Sequence, residues 1–264
     1  RPVLHNGAAA TIEEAIRLNG TFVAGNLRTF ALGRLAAHAP EALASELNDK
    51  AEVVKLDTVD DVIASRTRLL IAYQDGRYAD RYRDFVNDIS TRVAASKLDG
   101  DERFTREVAL TLAKLMTYKD EYEVARLYTD PTFMQRLREQ FSGDFSMTFN
   151  LAPPMLPGRD SSGRPKKRAF GPWMMSAFRL LAPMKFLRGT PFDPFGCFPE
   201  RRMERRLIDE YRALVWRIVE RLDQGNLERG IELASAATDV GGYGPVKVVS
   251  VERYEARVKT LLET

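Results

Sequence analysis

The sequence predicts a mainly α fold, a helical domain with a small β element around residues 145–152. Three observations predict it. Apolar residues recur three and four apart along most of the 264 residues. Thr, Asp and Pro stand where such runs begin, and Gly or Asn where they end. Only one stretch alternates with period two.

From the N-terminus, Thr11 with Glu14 three residues later has the form of a capping box. Ile12, Ile16, Phe22, Val23, Leu27, Phe30 and Leu35 then keep close to helical spacing, with an interruption at Asn19-Gly20. Pro40 ends that run, and "PEALASELND" reads as a short acidic helix. "KAEVVKL" fits strand or loop equally. Thr58 caps "VDDVIASRTRLLIAYQ", which runs to Asp75-Gly76. "RYADRYRDFVNDISTRVAASKL" follows to Asp99-Gly100, and the two predict an antiparallel helical hairpin. "DERFTREVALTLAKLMTYKDEYEVARLYT" is one long helix or two abutting ones. Asp130-Pro131 starts another, stopped at Ser142-Gly143.

Phe145, Met147, Phe149 and Leu151 supply the period-two stretch, closed by Pro153-Pro154. A basic loop comes next, with a hairpin tip expected around Ser162-Gly163. "PWMMSAFRLLAPMKFL" is apolar almost all round, which predicts burial. "TPFDPFGCFPE" predicts a rigid, packed aromatic loop. "ERRMERRLIDEYRALVWRIVERL" and "NLERGIELASAA" predict helices. "GGYGPVKVVS" reads as a loop with room for a short strand, and "VERYEARVKTLLE" closes as a helix.

Composition narrows the functional classes. At 44% hydrophobic, the chain can bury a sizeable core. A net charge of +3 does not by itself call for nucleic acid or membrane. Cys197 is the sole cysteine, so no internal disulfide can form, and the compartment expected is the cytoplasm. One thiol cannot hold an iron–sulfur cluster either. His5 and His38 lack the spacing of a zinc site. No apolar run approaches the roughly 20 residues of a membrane span, and "RPVLHNGAAA" does not have the form of a secretory signal. The chain opens on Arg1, as a piece of a longer protein would.

Three stretches invite chemistry. "LMTYKDEYEVARLYTDP" crowds tyrosines and ionisable groups together. On one helix, Tyr118 and Tyr122 would share a face with Leu115 and Arg126, and Glu123 could pair with Arg126. Asp120 and Glu121 would point about 100° apart, too far to act as a carboxylate pair. The stretch therefore reads as a packed, polar-faced helix, or as a buried Tyr–Glu–Arg cluster at a domain contact. The second stretch, Arg159 to Arg188, carries eight bases against Asp160, the pattern of an anion site. An acidic stretch, Glu41 to Asp61, could face it. In the third, Arg201, Arg202, Arg205 and Arg206 open a helix where the dipole disfavours cations, so acidic partners are expected. Cys197 is expected to be apolar in its surroundings and structural. There is no P-loop, no G-x-S-x-G elbow, no H-E-x-x-H and no thiamine-type Gly-Asp-Gly. "GGYGPV" lacks the spacing of a phosphate loop.

Taken in order, "AIRLNGTFVAGNLRTFALGR", "MTYKDEYEVARLYTDPTF", "FNLAPPML", "KKRAFGPWMMSAFRLLAPMKFLRGTPFDPFG" and "ERRMERRLIDEY" resemble the C-terminal region of the fused indolepyruvate ferredoxin oxidoreductases. These are thiamine-dependent 2-oxoacid:ferredoxin oxidoreductases, and the resemblance runs over nearly the whole chain. It implies that residues 1–40 are the closing helix of an upstream gamma-type domain and 41–264 a helical C-terminal domain. It further implies a whole enzyme that decarboxylates an aryl 2-oxoacid on thiamine diphosphate. Electrons then pass through iron–sulfur clusters to ferredoxin, and an acyl-CoA is released. No catalytic residue carries over to this chain, and no cofactor site is expected within it. Its expected partners are other domains of the same polypeptide, with a homodimer contact also open; nucleic acid and membrane are not expected. Lys166, Lys167 and Arg168 are the candidates for a CoA phosphate. Tyr118, Tyr122, Glu123, Arg126, Arg201, Arg202, Arg205 and Arg206 are the interface candidates. The alternative reading is an independent helical anion-binding module built on residues 159–188.

Overall fold

A computed structural model describes residues 6–20, 23–39, 41, 56–140, 145–153, 156, 158 and 166–263. The expectations for "PEALASELND", "KAEVVKL", Ser142-Gly143 and the Ser162-Gly163 tip lie outside the described residues. The chain forms two compact units, Arg1–Lys55 and Leu56–Thr264.

In the first unit, α1 (Asn6–Asn19) packs on α2 (Val23–His38). Glu13 bridges them, 3.5 Å from Arg17 and 3.4 Å from Arg34. Gly20, at φ +67°, takes the left-handed turn that ends α1. The capping box expected at Thr11 is not a helix start: α1 already runs through it. The alanine run at 8–10 has the highest intrinsic helix propensity and extends the helix backward.

The second unit is built on a bundle. Thr58 accepts from the Asp61 amide and Asp61 reaches back to the Thr58 amide, so the expected Thr58 cap opens α3 (Val59–Tyr73) as a full capping box. Asp75 caps α4 (Gly76–Ala95), and the two helices pack as a hairpin. The α4 face Ala79, Tyr82, Val86, Ile89 and Val93 is buried at spacings of three and four. Against it lie α5 (Asp101–Met116) and α9 (Pro199–Val219), and α10 (Leu227–Ser235) packs on α5. A 3-10 turn, Ala236–Asp239, leads to α11 (Pro245–Glu263). Phe104, Val108, Leu112, Leu207, Val215 and Leu227 join one core. Each such side chain contributes about 1.5–3 kcal/mol by leaving water. The loop or strand expected at "PVKVVS" is instead the start of α11. Pro245 sits at its first position, where a missing amide costs nothing.

Between α5 and α9 lies a smaller layer. It comprises α6 (Glu121–Thr129), α7 (Pro131–Gln140), β1 (Phe149–Leu151), β2 (Arg168–Phe170), α8 (Met174–Leu181) and a 3-10 helix, Ala182–Leu187. The period-two stretch is strand only over its last part, where Phe149, Asn150 and Leu151 pair antiparallel with Phe170, Ala169 and Arg168. Residues 145–148 precede the strand. Ala125, Phe149, Met175 and Phe178 form a second core. Tyr128 stacks on Phe178 at 5.1 Å, and Phe149 meets both rings edge-on. The segment expected to be buried all round is therefore one-sided. Its inner face fills this small core, while Trp173, Leu180 and Phe186 stay exposed.

Core tyrosines spend their hydroxyls on backbone carbonyls. Tyr82 donates to Ala109, Tyr211 to Ala234, Tyr78 to Met116 and Tyr73 to Tyr118. The last two serve the carbonyls at and beyond the end of α5, which have no helical partner. Burial pushes the phenols of Tyr73, Tyr78, Tyr82, Tyr122 and Tyr211 up, and those of Tyr118 and Tyr254 up to about 12. These groups favour folding while protonated. Their contribution is complete below the ordinary phenol pKa near 10 and is lost as pH rises through the raised values. Absorbance at 295 nm should therefore show at most two of the nine tyrosines ionised in the folded chain at pH 11. Ionisation of the others should coincide with loss of the helical circular dichroism signal. Smooth titration of most of the nine in a folded chain would contradict this packing.

Candidate functional site

Several of the chain's buried and half-buried charges converge at the first turn of α6. The sequence breaks the long helix here because Asp120 caps a new one. Its carboxylate accepts from the Glu123 amide at 2.8 Å. The four residues 117–120 between α5 and α6 turn the chain, so Tyr118 does not share a helical face with Tyr122 as expected. Tyr118 is instead buried in the turn, edge-on to Tyr73 at 6.0 Å.

Asp120 also receives Arg188, from the end of the 3-10 helix. Arg188 Nε lies 2.6 Å from Oδ2 and Nη2 lies 2.9 Å from Oδ1 of Asp120. Its third nitrogen donates to the Tyr73 carbonyl at 2.8 Å, and its guanidinium lies over the Tyr73 ring at 3.7 Å. The two side chains are 2% and 3% exposed, so the pair is sealed. Burial alone would lower the Arg188 pKa; the Asp120 carboxylate outweighs it and holds the group above its ordinary value.

Two residues along, Tyr122 donates to Asp193 Oδ1 at 3.1 Å. Asp193 also accepts from the Gly189 and Phe195 amides, at 2.9 and 3.1 Å. It thereby folds the 189–196 loop around itself. A Cβ at Gly196 would come within 2.8 Å of that carboxylate, so the loop closes only with glycine there. Phe195 is buried edge-on to Tyr122 at 5.3 Å. The rest of the aromatic loop departs from its expected packing. The turns leave Phe192 82% exposed, and Cys197 is exposed rather than enclosed by apolar groups.

Glu121 points away from Asp120, as the helix geometry requires, and takes its own arginine. Arg201 bridges it at 3.3 Å and Glu204 at 2.5 Å, and Lys247 of α11 reaches Glu204 at 2.5 Å. Burial would lower the Arg201 pKa, but these two carboxylates hold it above the usual arginine value. Glu123 and Arg126 form the expected pair, doubly bonded at 2.8 Å. Of the arginines opening α9, Arg201 and Arg206 find the acidic partners expected, and Arg205 takes a backbone carbonyl instead. Arg205 donates to the Gly196 carbonyl at 2.7 Å, and Arg206 lies 3.2 Å from Glu255 and 3.4 Å from Glu210. Arg202 is exposed.

Of the expected interface residues, Tyr118, Tyr122, Glu123, Arg126 and Arg201 thus belong to one junction. Arg205 fastens its adjoining loop, and Arg206 bridges α9 to α11. Lys166, Lys167 and Arg168 remain exposed at the entry to β2. Arg159 and Arg164 lie outside the described residues. Sequence reasoning missed Asp120, Arg188, Asp193 and Tyr73. Asp120 had a usable signal, since Asp followed three residues later by Glu123 is a helix-start pattern. The other three had none, because they join from distant positions.

The junction binds helix ends to one another. Two grooves elsewhere are open and shallow. One, of about 390 Å³, lies between α9 and α11 beside Leu214, Tyr254 and Val258. The other, of about 600 Å³, lies along α7 beside Met134, Arg138 and Arg179. Among the described residues no group of three His, Cys, Asp or Glu side chains could hold a metal, and no helix is long and apolar enough to cross a membrane.

Removing one partner of a buried pair typically costs about 3–5 kcal/mol, because the other charge is left without a counterion. Arg188→Met should lower unfolding stability by that order in urea titrations. Asp120→Asn keeps a side-chain oxygen as the cap of α6. Combined with Arg188→Met, it should cost clearly less than the two single changes summed. Additive losses would show that the two groups are not coupled.

No curated protein and no solved structure matches the chain. Residues 59–260 match DUF6537, described as a family of unknown function, and the chain belongs to that family.

Proposed function

We propose that the chain is a non-catalytic scaffold and interface domain of a cytoplasmic indolepyruvate (2-oxoacid):ferredoxin oxidoreductase. The whole enzyme would convert an aryl 2-oxoacid to an acyl-CoA. The stretches quoted above supply the resemblance. The observation that carries the structural half of the reading is what the buried charges do. Asp120, Arg188, Glu121, Arg201, Glu204 and Lys247 are spent on one another and on backbone, and none lines either of the two grooves described above. General acid–base or nucleophilic work needs such a group within reach of a bound substrate. A set that is mutually satisfied fixes architecture instead.

The residues present do not fit an iron–sulfur cluster, since cluster ligation takes several thiolates and Cys197 is alone. On this reading the clusters and the thiamine diphosphate are held by other parts of the enzyme. This chain braces them or shapes the entrance for oxoacid or CoA. Lys166, Lys167 and Arg168 are placed to meet an anionic group, being exposed on one short segment. The independent anion-binding module has less to work with. Arg188 is committed to Asp120, and Lys185 donates to the Ala72 carbonyl at 2.5 Å.

The test is a deletion. The full-length enzyme lacking the region from about Pro40 onward is assayed with indolepyruvate, CoA and a ferredoxin-type acceptor. It must first be shown to be folded and loaded with thiamine and iron. Cofactors retained with turnover lost is the expected result. Undiminished turnover would remove any role at the substrate or CoA site, and loss of all cofactor-binding capacity in a folded protein would contradict the non-catalytic reading.

A further inference from the structure

Three elements build the groove along α7. Thr129 ends α6, Met134 and Arg138 stand four apart on α7, and Arg179 comes from α8. The small aromatic core holds these elements together. Tyr128 of α6 meets Phe133 of α7 edge-on at 5.5 Å and stacks on Phe178 of α8 at 5.1 Å. Arg179 directly follows that last ring. Met134, half-buried against the same core, gives the groove an apolar floor.

The charges in the groove are unbalanced. Arg138 and Arg179 are exposed, and among the described residues neither lies in an ion pair. That sets them apart from Arg126, Arg188 and Arg201, each held by a carboxylate. Glu139 also lines the groove, and its carboxylate accepts from the Gln135 amide at 2.9 Å. Asp130, before α7, accepts from the Thr132 amide and hydroxyl at 2.8 and 2.6 Å. The Thr129 hydroxyl donates to the Ala125 carbonyl at 2.8 Å. Two cations from two helices thus stand in one groove against a single carboxylate.

We propose that this groove is a binding site for a small phosphorylated organic molecule, with Arg138 and Arg179 on its phosphate. A guanidinium is a planar fork of donors that stays charged. A carboxylate has two oxygens and is filled by one such fork. A phosphate monoester offers three oxygens and close to two charges, so it can use both. The groove, about 600 Å³, lies in the range of small-molecule sites and has room beyond the phosphate. Met134 and Pro131 are there to meet the organic part. The site takes only Arg179 from residues 159–188 and adds Arg138 from outside them. It does not depend on the oxidoreductase reading, whose deletion assay stands whichever way this one falls.

Phenyl phosphate and inorganic phosphate are the probes, titrated into the full chain by calorimetry at low ionic strength. Phenyl phosphate should bind once per chain, with a dissociation constant of roughly 0.1–1 mM that rises with added salt. Inorganic phosphate should bind more weakly, lacking the part that meets Met134. Arg138→Gln and Arg179→Gln should each weaken phenyl phosphate at least about fivefold, with the circular dichroism spectrum unchanged. Arg136→Gln is the control. It removes the same charge from the same helix, exposed but outside the groove, and should change the constant less than about twofold. No saturable binding up to about 10 mM phenyl phosphate would overturn the proposal. Equal weakening by R136Q, or inorganic phosphate binding as tightly as phenyl phosphate, would also do so. So would binding to vesicles containing phosphatidylglycerol by a chain that ignores phenyl phosphate.

Discussion

An arginine sealed from water cannot stand alone, and that constraint organises the second unit. Arg188 must have a carboxylate, and Asp120 supplies both oxygens. The requirement fixes the end of the 3-10 helix against the start of α6. Because Arg188 also holds the Tyr73 carbonyl, the same group fixes the end of α3. Such a pair gives little net stability relative to apolar residues of the same shape, since both charges lose their hydration. What it gives is a single permitted arrangement of three helix ends.

The neighbouring contacts extend that arrangement outward. Glu121 draws in α9 through Arg201, and Glu204 draws in α11 through Lys247. Arg201 sits in the first turn of α9, where the dipole opposes it, and needs both carboxylates for that reason. The first turn of α6 thus joins the helical bundle to the small aromatic layer of α6, α8 and the two strands.

Much of this fold was legible in the sequence, and the reasons differ by element. Thr58 with Asp61, Asp75 before Gly76, and the three-and-four spacing along α4 are local patterns, and they predict α3 and α4 correctly. The short strand was legible only in part, because its extent depends on residues 168–170. The Glu123–Arg126 pair is local and was visible. The Asp120–Arg188 pair spans 68 residues, and no spacing rule reaches that far. Composition alone misjudged "PWMMSAFRLLAPMKFL". Its apolar residues surround the helix, but the layer has only one face to cover it. Cys197 was misjudged likewise, by its aromatic neighbours in sequence, while the turns of the loop send its side chain outward.

The central claim is that one buried pair holds these helix ends together, and hydrogen exchange tests it most directly. In an Arg188→Met chain, the amides of α6 and of the 189–196 loop should lose protection together. Those of α4 and α5 should lose less, only what the fall in global stability takes from every amide. Uniform loss across the second unit would mean that the pair supports the whole bundle, and unchanged protection in α6 would mean that it supports nothing. Either result would contradict the account.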